Sequence, residues 1–252
     1  MLNGVVSMKS ILVTGVSAGI GKALARLYLE RGYQVCGMSR RPPGELAGHP
    51  NMHFAACDMR NLHEAQEVAS RLLDQVGHAP PEIVFLNAGK FGDAPRLAHE
   101  TTPSQFEDVL ALNLLANKAI LDVCFTRAKK PECIVISSSI SAIRPRAGML
   151  SYAVSKAALN TLAQVYRQEN PEVFFAVLGL CSVDTDLAAA VRKAGPSFPE
   201  LCALRERALQ PGYLVSAQDR AVHVAAVVDQ RDRLGVVSGQ FHEIRELIPL
   251  LA

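Results

Sequence analysis

The chain has 252 residues, of which 49% are hydrophobic and 20% charged, and its formal net charge is +2. This balance is typical of one soluble globular domain with a sizeable core and argues against extended disorder. No long run of like charge favours a nucleic-acid surface. No stretch approaches the ~18 apolar residues of a membrane span, and residues 1–10 do not resemble a secretory signal.

The cysteines and histidines carry no recognisable framework. Six cysteines are scattered without a C-x-x-C pair, and most of them lie in apolar runs. Cysteines in such positions behave as small hydrophobic residues, so we expect a reduced, cytoplasmic protein without disulfides. The seven histidines form no H-x-x-x-H or Cys/His cluster, and the sequence therefore predicts no metal site.

Short β-branched apolar runs alternate with longer helical patterns along the chain. Predicted strands cover residues 9–14, 34–38, 52–56, 82–87, 132–137, 173–179 and 236–242. Predicted helices cover residues 20–31, 62–76, 103–126, 151–168 and 217–229. Continuously apolar strands that alternate with helices indicate a parallel sheet covered on both faces. The sequence therefore predicts one α/β domain over residues 1–252, a doubly wound parallel sheet in which residues 1–7 form a flexible extension.

Residues 188–214 interrupt this alternation. They carry Gly195-Pro196, Pro199 and Pro211-Gly212 among helix formers such as Leu201–Leu209. An insertion of this size near the end of a sheet is often a mobile substrate lid. A surface helical excursion explains the same pattern equally well.

A glycine-rich turn, TGVSAGIG over residues 14–21, follows the first predicted strand and opens the first predicted helix. Glycines permit a tight turn and close approach of the backbone to a phosphate, and a helix N-terminus supplies free N–H groups and positive potential. The strand–turn–helix setting favours a dinucleotide site over a chance match. The candidate cofactor contacts in this turn are Gly15, Ser17, Gly19, Ile20 and Gly21.

The spacing of these glycines resembles the T-G-x-x-x-G-I-G turn of the single-domain short-chain dehydrogenases/reductases rather than the G-x-G-x-x-G fingerprint. Further likenesses to that family run from about residue 9 to residue 242: Asp58, Asn87-Ala88-Gly89, Asn113, Ser139 and the Tyr152-Ala-Val-Ser-Lys156 pair. The resemblance implies a Rossmann-like fold, an adenine contact at Asp58, and cofactor contacts at Asn87, Ala88, Gly89, Tyr152 and Lys156. It also implies four catalytic residues: Asn113, which would order a proton-relay water, with Ser139, Tyr152 and Lys156.

The chemistry of the Tyr152–Lys156 pair suits proton transfer. Tyrosine titrates near ~10 and exchanges its proton poorly at neutral pH. A lysine one turn later places its ammonium beside the phenol, which would lower the tyrosine pKa together with an oxidised nicotinamide ring. Lys156 can also hold the nicotinamide ribose, and Ser139 can polarise a substrate carbonyl. Strand alternation turns Ser138 away from the side used by Ser137 and Ser139, and the family spacing favours Ser139.

The end of the second predicted strand bears on the choice of nicotinamide cofactor. An acidic residue there would bind the adenosine 2′-hydroxyl and repel a 2′-phosphate. This chain has Ser39-Arg40-Arg41 and no carboxylate until Glu45. A hydroxyl followed by guanidinium groups suits a phosphate dianion, which favours NADP(H) and the reductive direction. The alternative is that these arginines only solvate a loop.

The likeness to the family is imperfect after the sixth predicted strand. The family usually carries Pro-Gly there, followed by a threonine that holds the cofactor carboxamide. This chain has Leu180-Cys181 in place of Pro-Gly and keeps the threonine as Thr185. We expect Thr185 to contact the cofactor from a loop of altered geometry.

The C-terminal half is also similar to sepiapterin reductase and the related benzil reductases, which reduce diketone-like groups on flat ring compounds with NADPH. The likeness lies in residues 168–173, 184–187 and Ser238-Gly239. It implies a pterin-binding carboxylate at Glu246, with Glu243 as its neighbour. The alternative is that these glutamates are only solvated.

These features together predict an NADPH-dependent carbonyl reductase, in which Tyr152 protonates the oxygen of a ketone or aldehyde that receives a hydride. Two alternatives stay open: a reductase of sepiapterin-like or diketone ring compounds, and an NADP(H)-sensing protein without catalysis. We expect a small-molecule carbonyl or alcohol substrate, no nucleic-acid or membrane partner, and a homodimer or homotetramer of the kind that the family forms.

Overall fold

The computed structural model describes residues 8–77 and 80–251, without the side chains of residues 186–188. The extension predicted for residues 1–7 lies outside the described residues. Seven strands form one parallel sheet in the order β3-β2-β1-β4-β5-β6-β7. The strands are β1 (Ser10–Thr14), β2 (Gln34–Ser39), β3 (Met52–Ala56), β4 (Ile83–Leu86), β5 (Cys133–Ser138), β6 (Phe174–Gly179) and β7 (Phe241–Glu243).

Helices cover both faces of the sheet. They are α1 (Gly19–Glu30), α2 (Leu62–Gln75), α3 (Pro103–Leu110), α4 (Ala116–Phe125), α5 (Leu150–Glu169), α6 (Asp186–Val191), α7 (Pro199–Ala208), α8 (Ala217–Asp229) and α9 (Ile244–Leu247). The architecture is the predicted Rossmann-like, doubly wound sheet. No helix within the described ranges is long and apolar enough to cross a bilayer.

Each central strand contributes to two cores because its side chains alternate between the faces of the sheet. In β1, Ile11 and Val13 pack into the core beneath α1 and α8, whereas Leu12 packs into the core beneath α2, α4 and α5. All three side chains are 0% exposed. This double burial explains why the strand reads as a continuous apolar run.

The seventh strand differs from its prediction over residues 236–242, since only Phe241–Glu243 pair with β6. Two of the preceding residues form hydrogen bonds to Phe175 of β6 outside the strand ladder. The Ser238 hydroxyl accepts from the Phe175 backbone N–H at 3.0 Å, and the Gly239 N–H donates to the Phe175 carbonyl at 2.8 Å. Gly239 has φ +80, so the backbone turns before the ladder begins.

The helix predicted over residues 103–126 is interrupted in its middle. Thr102 caps α3 by accepting from the Gln105 backbone N–H at 3.3 Å. Residues 111–115 then form a π-helical turn, and α4 continues from Ala116. Such turns shift the face of a helix and occur frequently at functional sites; this one contains Asn113.

Tyr28 on α1 provides a test of the packing. Its side chain is 0% exposed, and its hydroxyl has no hydrogen-bond partner among the described residues. A buried, unpaired hydroxyl costs roughly 1–3 kcal/mol. We expect Tyr28→Phe to raise the free energy of unfolding in urea by about 1 kcal/mol.

The matched control is Tyr166→Phe, because the Tyr166 hydroxyl donates to Asp122 Oδ1 at 2.7 Å. This variant should lower the free energy of unfolding by about 1 kcal/mol. A loss of stability in Tyr28→Phe as large as that in Tyr166→Phe would contradict the packing described.

Candidate active site

Two adjoining cavities open at the carboxyl edge of the sheet and share Ile20, Asn87, Gly89 and Thr185. We call the first the glycine-loop cleft; it has a volume of about 450 Å³ and is lined by residues of the segments 15–20, 39–41, 58–60, 87–90 and 184–185. We call the second the tyrosine cavity; it has a volume of about 320 Å³ and is lined by Ser139, Tyr152 and Lys156, among others.

The glycine-loop cleft has the form of a phosphate-binding turn. Gly15 has φ +80, and a Cβ on Gly21 would lie 2.3 Å from the Gly15 carbonyl oxygen, so only glycine fits at position 21. The N-cap of α1 is Ala18, whose side chain caps nothing, and the first turn of the helix carries no acidic residue. The N–H groups at the start of α1 therefore face the cleft without a side-chain acceptor, an arrangement that fits a dinucleotide phosphate.

Hydrogen bonds join the ends of the three central strands. The Thr14 hydroxyl accepts from the backbone N–H groups of Asn87 and Ala88 at 2.9 and 3.0 Å. The Ser137 hydroxyl donates to the Asn87 side chain at 3.2 Å, and Lys156 Nζ donates to the Ser137 carbonyl at 2.6 Å. This chain of bonds fixes the position of Lys156 relative to the glycine-loop cleft.

The three residues predicted to select the cofactor all line the glycine-loop cleft. The Ser39 hydroxyl donates to the Arg41 carbonyl at 2.7 Å and retains its acceptor lone pairs. Arg40 and Arg41 are exposed, and within the described residues neither forms an ion pair. Both guanidinium groups therefore remain available to an anion in the cleft.

Asp58 lies beside these arginines and is bound by a residue that the sequence interpretation missed, Arg60. The hydrogen bond from Arg60 holds the pKa of Asp58 at about 2, with a smaller contribution from the charge of Arg40. Arg60 also donates to Asp108 at 2.8 Å, and Lys90 bonds to the same carboxylate. Arg60 and Lys90 line the cleft. The signal for them in the sequence was their position, since Arg60 comes two residues after Asp58 and Lys90 comes directly after Gly89.

Asn113 lines neither cavity. Its side chain is 0% exposed; it accepts from the Lys90 N–H at 2.9 Å and donates to the Lys90 carbonyl at 2.9 Å and to Ser155 Oγ at 3.0 Å. In turn, the Ser155 hydroxyl donates to the Tyr152 carbonyl at 2.8 Å. These bonds use both ends of the amide, so the Asn113 side chain positions Lys90 and α5. The role of Asn113 in ordering a proton-relay water stays a prediction.

Tyr152 and Lys156 lie one turn apart on α5 and are 6% and 3% exposed. Lys156 Nζ is 5.7 Å from the centre of the Tyr152 ring. Burial raises the pKa of Tyr152 above its ordinary value, and the Ser139 hydroxyl opposes this effect. Burial also lowers the pKa of Lys156 to about 8. Burial, rather than the charge of the lysine, therefore dominates the titration of the tyrosine in this structure.

The three adjacent serines have different partners, as strand alternation predicted. Ser138 Oγ donates to Asn160 on α5 at 2.6 Å, and Ser137 Oγ donates to Asn87. Ser139 Oγ accepts from the Ser141 backbone N–H at 3.1 Å, and its hydrogen bond to the Tyr152 hydroxyl lowers the pKa of that tyrosine. Ser139 therefore lies beside Tyr152 in the tyrosine cavity.

In the loop after β6, a cysteine adopts a backbone conformation that is typical of glycine. Cys181 has φ +58, a left-handed value that no other non-glycine residue in the described chain adopts. Its thiol donates to Glu243 Oε1 at 3.3 Å and contacts the Gly179 carbonyl at 3.4 Å. Thr185 lines both cavities, as its predicted cofactor role requires.

The predicted substrate contact at Glu246 is not brought to the tyrosine cavity. Glu246 is exposed in the first turn of α9, whereas Glu243, at the end of β7, lines the cavity. The strand places residue 243 beside the end of β6, and the helix that follows turns residue 246 away. Of the two glutamates, Glu243 is the one that lines the tyrosine cavity, and the pterin contact at Glu246 stays a prediction.

The interruption at residues 188–214 covers one side of the tyrosine cavity. Phe198 and Leu201 are buried in a small apolar cluster with Phe91, Met149 and Tyr152. Val191, Leu204 and Leu214 line the cavity itself. The segment therefore packs against Tyr152 and also forms part of the cavity wall, and its movement as a substrate lid stays a prediction. Among the described residues, no group of His, Cys, Asp and Glu has the arrangement of a metal site.

Comparison with known proteins agrees with this geometry. A family model described as short chain dehydrogenase matches residues 9–195. The chain is 27% identical over 175 residues to an NADPH-dependent pterin aldehyde reductase of Arabidopsis thaliana, covering 66% of this chain and 71% of the relative. It is 24% identical over 251 residues to a benzil reductase ((S)-benzoin forming) of Bacillus subtilis, covering 96% and 100%.

A crystal structure of a short chain dehydrogenase/reductase from Saccharomyces cerevisiae has the same fold, with a TM-score of 0.78, 24% identity and coverage of 97% of this chain and 98% of that one. The sheet topology, the glycine-loop cleft and the Tyr152–Lys156 pair agree with the family match. The chain is a member of the short-chain dehydrogenase family of oxidoreductases.

Proposed function

We propose that the protein is an NADPH-dependent carbonyl reductase that acts on a ketone or an aldehyde, with Tyr152 as the proton donor. The observation that carries the proposal is the meeting of Ser139, Tyr152 and Lys156 in one cavity that adjoins the glycine-loop cleft. When bound in that cleft, the reduced dinucleotide supplies a hydride for the carbonyl carbon.

The residues of the tyrosine cavity handle the charge that develops on the substrate oxygen. Ser139 donates a hydrogen bond to this oxygen and polarises the carbonyl. Tyr152 transfers its hydroxyl proton to the oxygen, which completes the alcohol and leaves a phenolate. The Lys156 ammonium stabilises that phenolate, and Ser137 holds the ammonium through its carbonyl at 2.6 Å.

The preference for NADP(H) rests on the positive charge at the end of β2. Arg40 and Arg41 line the glycine-loop cleft and form no ion pair among the described side chains. Glu45, the first carboxylate after them, is bound by Lys22 at 2.8 Å and by Arg26. A 2′-phosphate therefore meets guanidinium groups and no free carboxylate there. The NADPH-dependent reductase among the relatives also supports this preference.

The first prediction concerns Tyr152. We expect Tyr152→Phe to bind NADPH as the wild type does and to lose at least about 100-fold in kcat with a carbonyl substrate, because the proton donor is missing. Binding is measured by NADPH fluorescence, and turnover is measured with a panel of diketones, quinones, pterins and β-keto esters. Tyr33→Phe, at a position that lines neither cavity, is the control. Turnover retained in Tyr152→Phe refutes the mechanism, and NADPH binding without turnover of any compound by the wild type favours a sensor.

The second prediction concerns cofactor choice. We expect Arg40→Ser to raise the KM for NADPH by about tenfold, because a charge-assisted hydrogen bond to the 2′-phosphate is lost. The KM for NADH should stay within about twofold of the wild-type value, since NADH lacks that phosphate. An equal rise in both KM values would show that Arg40 only supports the loop.

The third prediction concerns the stability cost of the buried lysine. The pKa of Lys156 is lowered from 10.5 to about 8, so the unfolded chain holds more protons than the folded one between these pH values. The contribution of Lys156 to stability is therefore lowest below pH 8 and rises with pH up to about 10.5. We expect Lys156→Met to be more stable than the wild type at pH 7 by about 2 kcal/mol, and this gain to shrink by pH 9.5.

Urea unfolding at pH 7 and pH 9.5 measures this difference. The control is Lys129→Met, which removes an exposed lysine and should change stability equally at both pH values. A Lys156→Met variant that is less stable than the wild type at pH 7 would contradict the burial cost.

A further inference from the structure

The tyrosine cavity has an unusual excess of positive charge. Its lining contains Glu243 as the sole carboxylate among the described residues, together with Lys156 and six arginines. The arginines are Arg144, Arg146, Arg192, Arg205, Arg207 and Arg245. The chain as a whole has a formal net charge of only +2, so this cavity is far more positive than the average surface.

Nearby carboxylates neutralise only part of this charge. Arg146 lies 3.6 Å from Glu200, and Arg192 lies 3.4 Å from Asp184. Arg245 Nε donates to Glu243 at 2.9 Å. Within the described side chains, these pairs account for three of the six arginines.

The other three arginines have no carboxylate partner among the described side chains. Arg205 Nη1 donates to the Ala194 carbonyl at 3.1 Å, and Arg207 Nε donates to the Ala203 carbonyl at 3.3 Å. These bonds orient the guanidinium groups without cancelling their charge, and the terminal nitrogens of Arg207 remain available as donors.

Arg144 stands near the one carboxylate of the cavity wall. Burial opposes the ionisation of Glu243, but the hydrogen bond from Arg245 and the charges of Arg245 and Arg144 hold its pKa below the ordinary value. The Glu243 carboxylate is already bonded to Arg245 and to the Cys181 thiol, and Arg144 forms no ion pair with it among the described side chains. Arg144 retains its capacity to pair with a second anion.

The dinucleotide does not account for these arginines. None of the six lines the glycine-loop cleft, whose positive side chains are Arg40, Arg41, Arg60 and Lys90. Arg144 follows β5 and Ser139 in the chain, Arg207 lies on α7, and both line the tyrosine cavity. Their charge therefore faces the space in which the reacting carbonyl compound binds.

We propose that the physiological substrate is a carbonyl compound that also carries an anionic group, of which a carboxylate is the simplest case, and that Arg144 and Arg207 bind this group. This inference rests on the proposed reductase function and adds the substrate class. The apolar side chains of Met149, Val183 and Leu204 also line the cavity, so the substrate combines an apolar body with a charged end. Arginine suits this role because its planar donors match carboxylate and phosphate oxygens.

The test compares two ketones that differ in one charge, 4-acetylbenzoate and its methyl ester. Their dissociation constants are measured by calorimetry at low ionic strength with saturating NADP+, which occupies the glycine-loop cleft and cannot reduce either ketone. We expect the wild type to bind the carboxylate about tenfold more tightly than the ester. Salt at about 0.5 M should weaken this preference by screening the charges.

The preference should fall to about twofold or less in the double variant Arg144→Gln/Arg207→Gln. Arg71→Gln is the matched control: it removes the same charge from an exposed position of α2, outside both cavities, and should keep the preference. Thermal unfolding of each variant shows that it is folded. Equal or tighter binding of the ester by the wild type, or an unchanged preference in the double variant, overturns the inference.

Oxidation of NADPH with the same two ketones separates this inference from the proposed function. Carboxylate preference in binding without turnover of either compound supports the anion site and contradicts the reductase. Turnover of the ester without any carboxylate preference supports the reductase and contradicts the anion site.

Discussion

The bond from the Lys156 ammonium to the Ser137 carbonyl holds the active site together. It is 2.6 Å long and ties α5 to the end of β5. Ser137 continues the connection to Asn87 on the neighbouring strand end, and Thr14 carries it on to the glycine-rich turn. Lys156 and the phosphate-binding turn are thus parts of one hydrogen-bonded unit, although they are more than a hundred residues apart in the chain. Tyr152 lies one turn before Lys156 on the same helix. This bond requires that the Lys156 amine be buried, and burial lowers its pKa to about 8.

The remainder of the site divides its positive charge between two cavities. At the end of β2 and after β3, Arg40, Arg41 and Arg60 line the glycine-loop cleft. A separate group of arginines lines the tyrosine cavity. The α7 segment supplies some of these arginines and also part of the apolar wall of the cavity. A parallel sheet makes this division possible, because the carboxyl ends of all its strands meet at one edge. The two groups of positive charge therefore lie in adjoining but separate cavities.

Backbone constraints set the shape of that edge. A Cβ at Gly21 would collide with the Gly15 carbonyl at 2.3 Å, so the first turn of α1 packs directly on the glycine-rich loop. Cys181 adopts φ +58, at an expected cost of about 1–2 kcal/mol for a residue with a Cβ. Its thiol bond to Glu243 and the burial of the loop hold this conformation. A cysteine therefore holds, at this position, a left-handed conformation that glycine adopts more readily.

Local pattern was enough to predict the strands β1 to β6, the main helices and the cofactor turn, because apolar periodicity and the strand–turn–helix setting of the glycines are properties of neighbouring residues. It also predicted that Ser138 turns to a different side from Ser137, since side chains alternate along a strand, and Ser138 bonds to Asn160 on α5. Contacts between distant segments of the chain decide the short length of β7 and the π-helical turn at Asn113. They also decide which of Glu243 and Glu246 lines the tyrosine cavity. Tertiary structure alone revealed the Asp58–Arg60–Asp108 network and the arginines of the tyrosine cavity. These arginines lie in four separate segments between residues 144 and 245, and only the folded chain brings their charges to one surface.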